Sequence, residues 1–430
     1  MSVMRITAAG DGMVFRRLPG AYQGFEAVRD FIGRGDLRFL NLETTIHRGE
    51  TFGAAVSGGS WFCAPPEVLE DVRAFGFNTV STANNHAMDY SHKGLIRTLE
   101  YIRRAGLVCA GTGRSLAEAA APSYLDTPSG RFALIGACSS FHPDAPAGNP
   151  ARGVPARPGL NAIRHDTIYS LPEAELDKLM RIADSIMINA ADDASRAQGY
   201  SPALPEGQRA FGALRFTRGD APGKQTRVNE ADMRRVEDSI REARFMADCI
   251  LVAMHSHEIP ALSNEEPDQF YVEFAHRCID AGAHAVLGTG PHLLRPIEIY
   301  KGRPIFYSLG DFIIQLETLP NAPADMFEKE GLTPADGLDR MFEKRSNGGK
   351  RGLYYRKIMF ESVVPYFEME NGELRKLELL PVELNFDAPR STGGWPRPMP
   401  DGGILERLRD MSAPYGTRLA LRDGIGIVEL

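Results

Sequence analysis

Short apolar runs that stop at Gly, Asp, Glu, Asn or His punctuate the first 110 residues. Residues 5–9 (RITAA) run into Gly10-Asp11-Gly12, Leu37–Leu42 (LRFLNL) into Glu43, and residues 78–82 (NTVST) into Ala83-Asn84-Asn85-His86. Between them lie stretches with apolar residues at helical spacing. These are residues 25–32, residues 66–75 with Pro66 at the start, and residues 94–105 with Gly106 as the C-cap. Strand alternating with helix predicts an α/β chain whose mainly parallel sheet is covered by helices. In open sheets of that kind ligands gather beyond the carboxyl ends of the strands, so the polar residues closing each run are candidates for chemistry.

The pattern breaks twice. After the apolar residues 131–136, residues 141–226 hold a Pro/Gly/Arg/Ala-rich segment, a helix over 172–188 and a polar stretch, too long for a connector. We expect a lid or substrate-shaping insertion there, and a second one at 316–352. The regular pattern resumes with a helix over 230–247, a strand over 250–254, a helix over 269–281 and a strand over 285–287. Short strands at 296–300, 304–307, 355–366 and 374–383 follow, making 353–430 a β-rich C-terminal part of one domain spanning 1–430.

Composition is ordinary for a folded protein, with 43% hydrophobic and 24% charged residues. The formal net charge of -7 argues against general binding to nucleic acid or an anionic membrane. Five cysteines (Cys63, Cys109, Cys138, Cys249, Cys278), with no CxxC pair, read as small buried hydrophobes in a reducing compartment. The N-terminus shows no secretory signal pattern, and no run of about eighteen apolar residues occurs, so the expectation is a cytoplasmic protein.

Lining up the run ends gives Asp11, Glu43, Asn85-His86, His255-Ser256-His257 and Gly288-Thr289-Gly290-Pro291-His292. Oxygen and imidazole ligands supplied by successive strand ends suit a divalent cation. His86 and Asp89 stand three residues apart, so the carboxylate can orient the imidazole; the competing role for Asp89 is N-cap of a helix starting near Ser91. Asp11 with His255 or His257 offers a second carboxylate–imidazole pair.

The segments GDGM (10–13), NLETTI (41–46), STANNHAMDYSHKGL (81–95), HSHE (255–258) and GTGPHLLRPIEIYKGRPIFYSLGDFI (288–313) resemble, in order, the bacterial capsule-synthesis (poly-γ-glutamate, CapA-type) family, within the calcineurin-like metallophosphoesterase fold. The resemblance implies a four-layer αββα sandwich of two mixed sheets flanked by helices. It implies Asp11, Glu43, Asn85, His255 and His292 as ligands or near neighbours of a metal, with His86 as acid/base. Two departures weaken a two-metal site. Met13 stands where phosphoesterases of the fold carry the His of D-x-H, and Gly290 stands where the family carries the first His of H-P-H. His257 is available to replace one lost ligand. One divalent ion (Ca, Mn or Zn) is therefore expected, with a second allowed.

Soluble relatives in that family epimerise the C-terminal residue of lasso-peptide precursors. The first expectation is thus a peptide-modifying enzyme in which His86, Asp89, Asp11, His255 and His257 move protons at a Cα beside the cation. The alternatives are a metal-dependent hydrolase of phosphoesters or γ-glutamyl amides, and a poly-γ-glutamate biosynthesis factor. Candidate substrate contacts are Arg157 in the first insertion, Trp61 beside Phe62 as a pocket wall or ordinary core, and Arg351. The last lies in a basic cluster (Lys344, Arg345, Lys350, Arg351, Arg356, Lys357) that is either a solvated loop or a trap for a carboxylate. Asp311, in SLGDF, either nears the site or packs as a buried strand end.

Overall fold

In the computed structural model, which describes residues 3–18, 20, 22–400 and 403–430 (residue 354 by its backbone alone), the alternating faces of the strands sort into three apolar layers. Ile6 and Ala8 of strand Met4–Met13 and Leu37 and Phe39 of strand Leu37–Leu42 join Phe132, Leu134, Leu251, Ala253 and Leu287 in one buried cluster. Those residues come from two sheets, so this cluster is the seam between them. Leu40 and Leu42 point the other way, into a cluster with Val28, Ile32, Val68 and Ile102 of the helices Phe25–Ile32, Val68–Ala74 and Ser91–Arg104. Ile250, Val252 and Met254 likewise turn from the seam toward Val236, Ile240, Phe274 and Cys278 of the helices Glu230–Ala243 and Gln269–Ala281. Period-two alternation on strands buried on both faces therefore builds helix, sheet, sheet, helix. The expected four-layer sandwich is the architecture observed.

Parallel strands Met4–Met13, Leu37–Leu42, Thr79–Ser81 and Val108–Ala110 form one half of the larger sheet, and strand Glu361–Glu370 continues it antiparallel to the first. The smaller sheet centres on parallel strands Gly130–Cys138, Cys249–His255 and Ala285–Thr289. The first insertion carries its own four-stranded sheet (His165–Leu171, Gln208–Phe211, Leu214–Arg218, Gly223–Val228) and helices Glu173–Ser185 and Ala190–Ala197. The polar stretch expected there thus holds the helix Ala190–Ala197 and three short strands. The second insertion is helical, and Met326, Phe327, Met341 and Phe342 sink into the core beneath the larger sheet. The strand expected at 355–366 begins only at Glu361; the residues before it form 3-10 turns. All five cysteines are free, and four are buried. Among the described residues no helix is long and apolar enough to cross a membrane.

One correction positions everything that follows. The first strand does not stop at Ala9 but continues through Gly10-Asp11-Gly12 to Met13. Its register against the second strand shifts between Ala9 and Asp11, a bulge that brings Asp11 opposite Asn41. Beyond the bulge the strand pairs in parallel with Asp311–Ile314, Asp11 opposite Asp311, and the Asp11 amide donates to the Gly310 carbonyl at 3.0 Å. That approach requires glycine, because a Cβ on Gly10 would lie 1.7 Å from the Gly310 oxygen. Met13 is fully buried in the apolar core beneath the sheet. Gly10→Ala is expected to cost about 3 kcal/mol or more, at or above the usual range for overpacking, since the obstacle is backbone. Gly403→Ala, with open space around it, should stay within about 0.5 kcal/mol. Urea denaturation of the two variants checks the contrast; equal midpoints would contradict it.

Candidate metal centre and its acid/base histidine

Asp11, Glu43, Asp311 and His292 each offer a ligand atom within 4.8 Å of the others, and Glu43, His257 and His292 do the same. The three carboxylates are fully buried. Asp11 Oδ1 accepts from Asn41 Nδ2 at 2.6 Å, and Oδ2 from the Gly290 amide at 2.9 Å. Asp311 Oδ1 pairs with His292 Nδ1 at 2.9 Å. Neither oxygen of Glu43 has a hydrogen-bond partner, nor has Asp311 Oδ2 or Asn41 Oδ1. Buried acceptors are almost always satisfied, so unsatisfied carboxylate oxygens on Glu43 and Asp311, within a set of converging ligand atoms, fit a cation.

His255 adjoins this set from the second sheet. Its Nε2 donates to Asn85 Oδ1 at 2.8 Å and lies 3.1 Å from His257 Nε2, while Nδ1 is 3.0 Å from Thr289 Oγ1. Asp11 Oδ1 is 3.6 Å and Glu43 Oε1 3.7 Å from the ring. The expected second carboxylate–imidazole pair is therefore Asp11 with His255. Asn85 itself is tied by its Nδ2 to the Gly58 carbonyl at 2.9 Å.

The electrostatics follow from burial. Desolvation, reinforced by Asp11, pushes the Glu43 carboxyl well above the usual carboxylate range. Burial raises Asp311 to about 6 despite the His292 charge. For Asp11 burial also works upward, but contact with His255 and the field of His292 outweigh it, and the group stays low. Burial opposes a charge on His292, yet Asp311, Glu43 and Asp11 together push it up to about 10. Desolvation, then the neighbouring imidazoles, holds His257 well below the ordinary histidine value. Without a metal the surroundings thus favour the protonated form of Glu43 and the charged form of His292, and a cation would compete with both protons.

His86 belongs to a different device. Its Nδ1 donates to Asp89 Oδ2 at 2.6 Å, and its ring stacks on Phe62 with centroids 3.7 Å apart. Nε2 then faces the cluster, 3.9 Å from Glu43 Oε1. Asp89 accepts two further bonds, from the Gly58 amide at 2.9 Å and the Phe62 amide at 2.7 Å. It is not the N-cap of Ser91–Arg104: Tyr90 occupies that position, and no side chain caps the helix. The segment carrying Gly58, Trp61 and Phe62 is the clamp for this dyad.

Trp61 is core rather than pocket wall. It is fully buried, its indole donates to the Ala54 carbonyl at 2.7 Å, and Lys329 of the second insertion lies 4.2 Å over its ring. Arg157 is exposed and donates to the Pro146 carbonyl at 3.0 Å; its local contacts stay within the first insertion. Arg351 closes the end of helix Leu338–Ser346 by donating to the Lys344 and Arg345 carbonyls. The sequence pattern does not mark Asn41 as a site member, and it marks Asp311 only as one of two alternatives. Asn41 sits inside an apolar run, and Asp311 lies at the start of its strand rather than after one. The signal available was the repeated Gly-Asp, at 10–11 and 310–311.

Gly290 has φ +122, and a Cβ there would meet the Ser256 backbone at 2.8 Å. The missing histidine of the family motif thus gives way to a close crossing of the 255–258 and 288–292 loops. Arg295, fully buried, locks that crossing by donating to the carbonyls of Asn264 (3.0 Å), Ser256 (3.4 Å) and Glu258 (2.8 Å).

A cluster of buried carboxylates and imidazoles where the ends of two facing sheets meet defines a candidate metal centre. Comparison with known sequences carries the assignment further. Residues 5–316 match the profile of the bacterial capsule synthesis protein family (PGA_cap), and the chain belongs to that family. A Sinorhizobium fredii protein designated y4sH is 33% identical over 99% of this chain and 93% of its own length. A probable polyglutamine synthesis accessory protein of Mycobacterium tuberculosis is 26% identical over 66% of this chain and 56% of its own. The PGA biosynthesis protein CapA of Bacillus subtilis is 25% identical over 57% of this chain and 44% of its own. The matched regions thus cover about half the length of the two relatives named for polymer synthesis.

The pH behaviour of the metal-free protein checks the cluster. Above pH 6.5 the folded state binds more protons than the unfolded chain, because Glu43 and His292 are both raised. Stability should therefore fall as pH rises from about 6.5 toward 10, the depressed histidines acting in the opposite sense only below 6.5. A divalent cation should remove the slope between about pH 6.5 and 8, below the range where the buried cysteine thiols add to it, and contribute about 2.7 kcal/mol at a hundredfold excess over its Kd. Thermal melts with EDTA or Mn²⁺, for the native chain and Glu43→Gln, test this. A cation gain that survives in Glu43→Gln contradicts the assignment.

Proposed function

We propose that this chain is a metal-dependent enzyme that cleaves γ-glutamyl-type amide bonds in an acidic polymer, with His86 as the proton carrier. The observation that carries the reading is His86 Nε2 facing the unsatisfied Glu43 carboxyl while its other nitrogen is held by Asp89. Asp11, Glu43, His257, His292 and Asp311 would hold the cation. When bound, it supplies positive charge that stabilises negative charge developing on a substrate carbonyl.

The chain's own part is proton handling. Asp89 fixes the His86 tautomer, with the proton on Nδ1, so that Nε2 accepts a proton during attack and returns it to the departing amine. Phe62 excludes water from one face of the ring and fixes its plane. The names of the polymer-synthesis relatives support a glutamyl substrate.

Epimerisation at a peptide Cα, the first expectation, has less support. It needs a second proton carrier opposite His86. His255, beside Asp11, has both ring nitrogens engaged within the cluster, and His292 is paired with Asp311 among the candidate ligands. The family assignment also favours polymer chemistry over it.

The test is incubation of the Mn²⁺-loaded protein with poly-γ-glutamate in D₂O. Shortened chains with new amino groups are expected; deuterium at Cα with unchanged length would overturn hydrolysis in favour of epimerisation. His86→Gln should reduce turnover about 10²–10⁴-fold, the usual worth of a positioned acid/base, at unchanged metal content. Turnover within twofold of native would remove His86 from the mechanism.

A further inference from the structure

The second insertion encloses a cleft of about 320 Å³ that the metal centre does not use. Leu316, Phe342 and Leu353 form an apolar wall, and Arg345 and Arg351 line it as well. The two acids beside them are already engaged: Glu317 pairs with Arg390 at 2.6 Å, and Glu330 with Arg351 at 3.4 Å. Arg345 is half-buried, and among the described residues its guanidinium has no hydrogen bond and no ion pair. Burial holds it below the usual arginine range. Only the field of Glu330, already paired with Arg351, compensates this half-buried charge, and an anion entering the cleft would complete that compensation. An arginine fork suits a carboxylate, and the apolar wall suits the methylenes that carry it.

The cleft is tied to the reaction centre by the chain itself. Leu316, on its wall, follows Asp311 by five residues, so the two lie at most about 18 Å apart. A γ-linked glutamyl unit has two more backbone bonds than an α-peptide unit and extends about 6 Å, so about three extended units span that distance.

Resting on the reading of the substrate as a glutamyl polymer, we infer that this cleft is a distal subsite that grips the side-group carboxylate of a glutamyl unit several residues from the bond being cleaved. The subsite adds affinity for long chains and takes no part in bond breaking.

Calorimetric titration of the full-length, metal-free protein with a γ-glutamyl octamer, glutarate and inorganic phosphate tests this. The octamer should bind about tenfold or more weakly to Arg345→Gln than to the native chain, as expected for loss of a charged hydrogen bond. Arg345→Lys should fall between them, with unaltered melting of both variants showing that the fold is intact. Equal octamer affinity in native and Arg345→Gln protein overturns the inference, as does phosphate binding as tightly as glutarate. With the Mn²⁺-loaded protein, Arg345→Gln should raise KM for the octamer but not for a γ-glutamyl dipeptide. Arg345-dependent octamer binding without cleavage would uphold the subsite and sink the hydrolase reading; cleavage with Arg345-independent binding would do the reverse.

Discussion

Three carboxyl groups held together out of water are the constraint around which this protein is arranged. Two unit charges 4 Å apart repel by about 4 kcal/mol at an effective dielectric of 20, so Asp11, Glu43 and Asp311 cannot all ionise there unaided. The metal-free protein answers by favouring a neutral Glu43 and a charged His292. A divalent cation answers more completely, because it also satisfies the oxygens left without donors. The surrounding backbone serves this concentration of charge. Gly10 and Gly310 let two strands touch so that their aspartates lie side by side, and Gly290 lets the Asp11 carboxylate accept from a main-chain amide.

Ligand positions and proton-carrier position are held by different parts of the fold. Asp11, Asn41, Glu43 and His255 lie on or just past strands of the central sheets, where packing on both faces fixes them. His86 depends on a loop segment whose Gly58 and Phe62 amides hold Asp89. That segment is gripped by both insertions: His142 bonds to the Ser57 carbonyl at 2.5 Å, and Lys329 lies over Trp61. The insertions therefore bear on the acid/base group through this segment. Such a division lets substrate preference change while the charged cluster stays as it is.

The legible and illegible parts of the site divide on physical grounds. Asp11, Glu43, Asn85, His86, His255, His257 and His292 stood out because each interrupts or follows an apolar run, and a polar residue there has few reasons to exist other than chemistry. Asn41 was hidden inside such a run. Asp311 stayed ambiguous because it opens its strand instead of following one, and its neighbour Asp11 is three hundred residues away. Trp61 drew attention as a possible pocket wall, yet its indole is consumed by a local carbonyl. Asp89 had two chemically sensible roles at the same spacing, and only the positions of the Gly58 and Phe62 amides separated them.

The two-sheet sandwich came from the family resemblance, while periodicity and punctuation determined, from the chain alone, an α/β chain with helices covering its strands and a polar set at the strand ends. Those features depend on which face of a strand or helix a residue occupies, a property written into local spacing. The tertiary structure decided which carboxylates share one buried point, which imidazole Asp89 holds, and which arginines line the cleft of the second insertion. Such quantities depend on distances between segments remote in sequence and on how much water each group has lost, and neither is encoded at the level of local pattern.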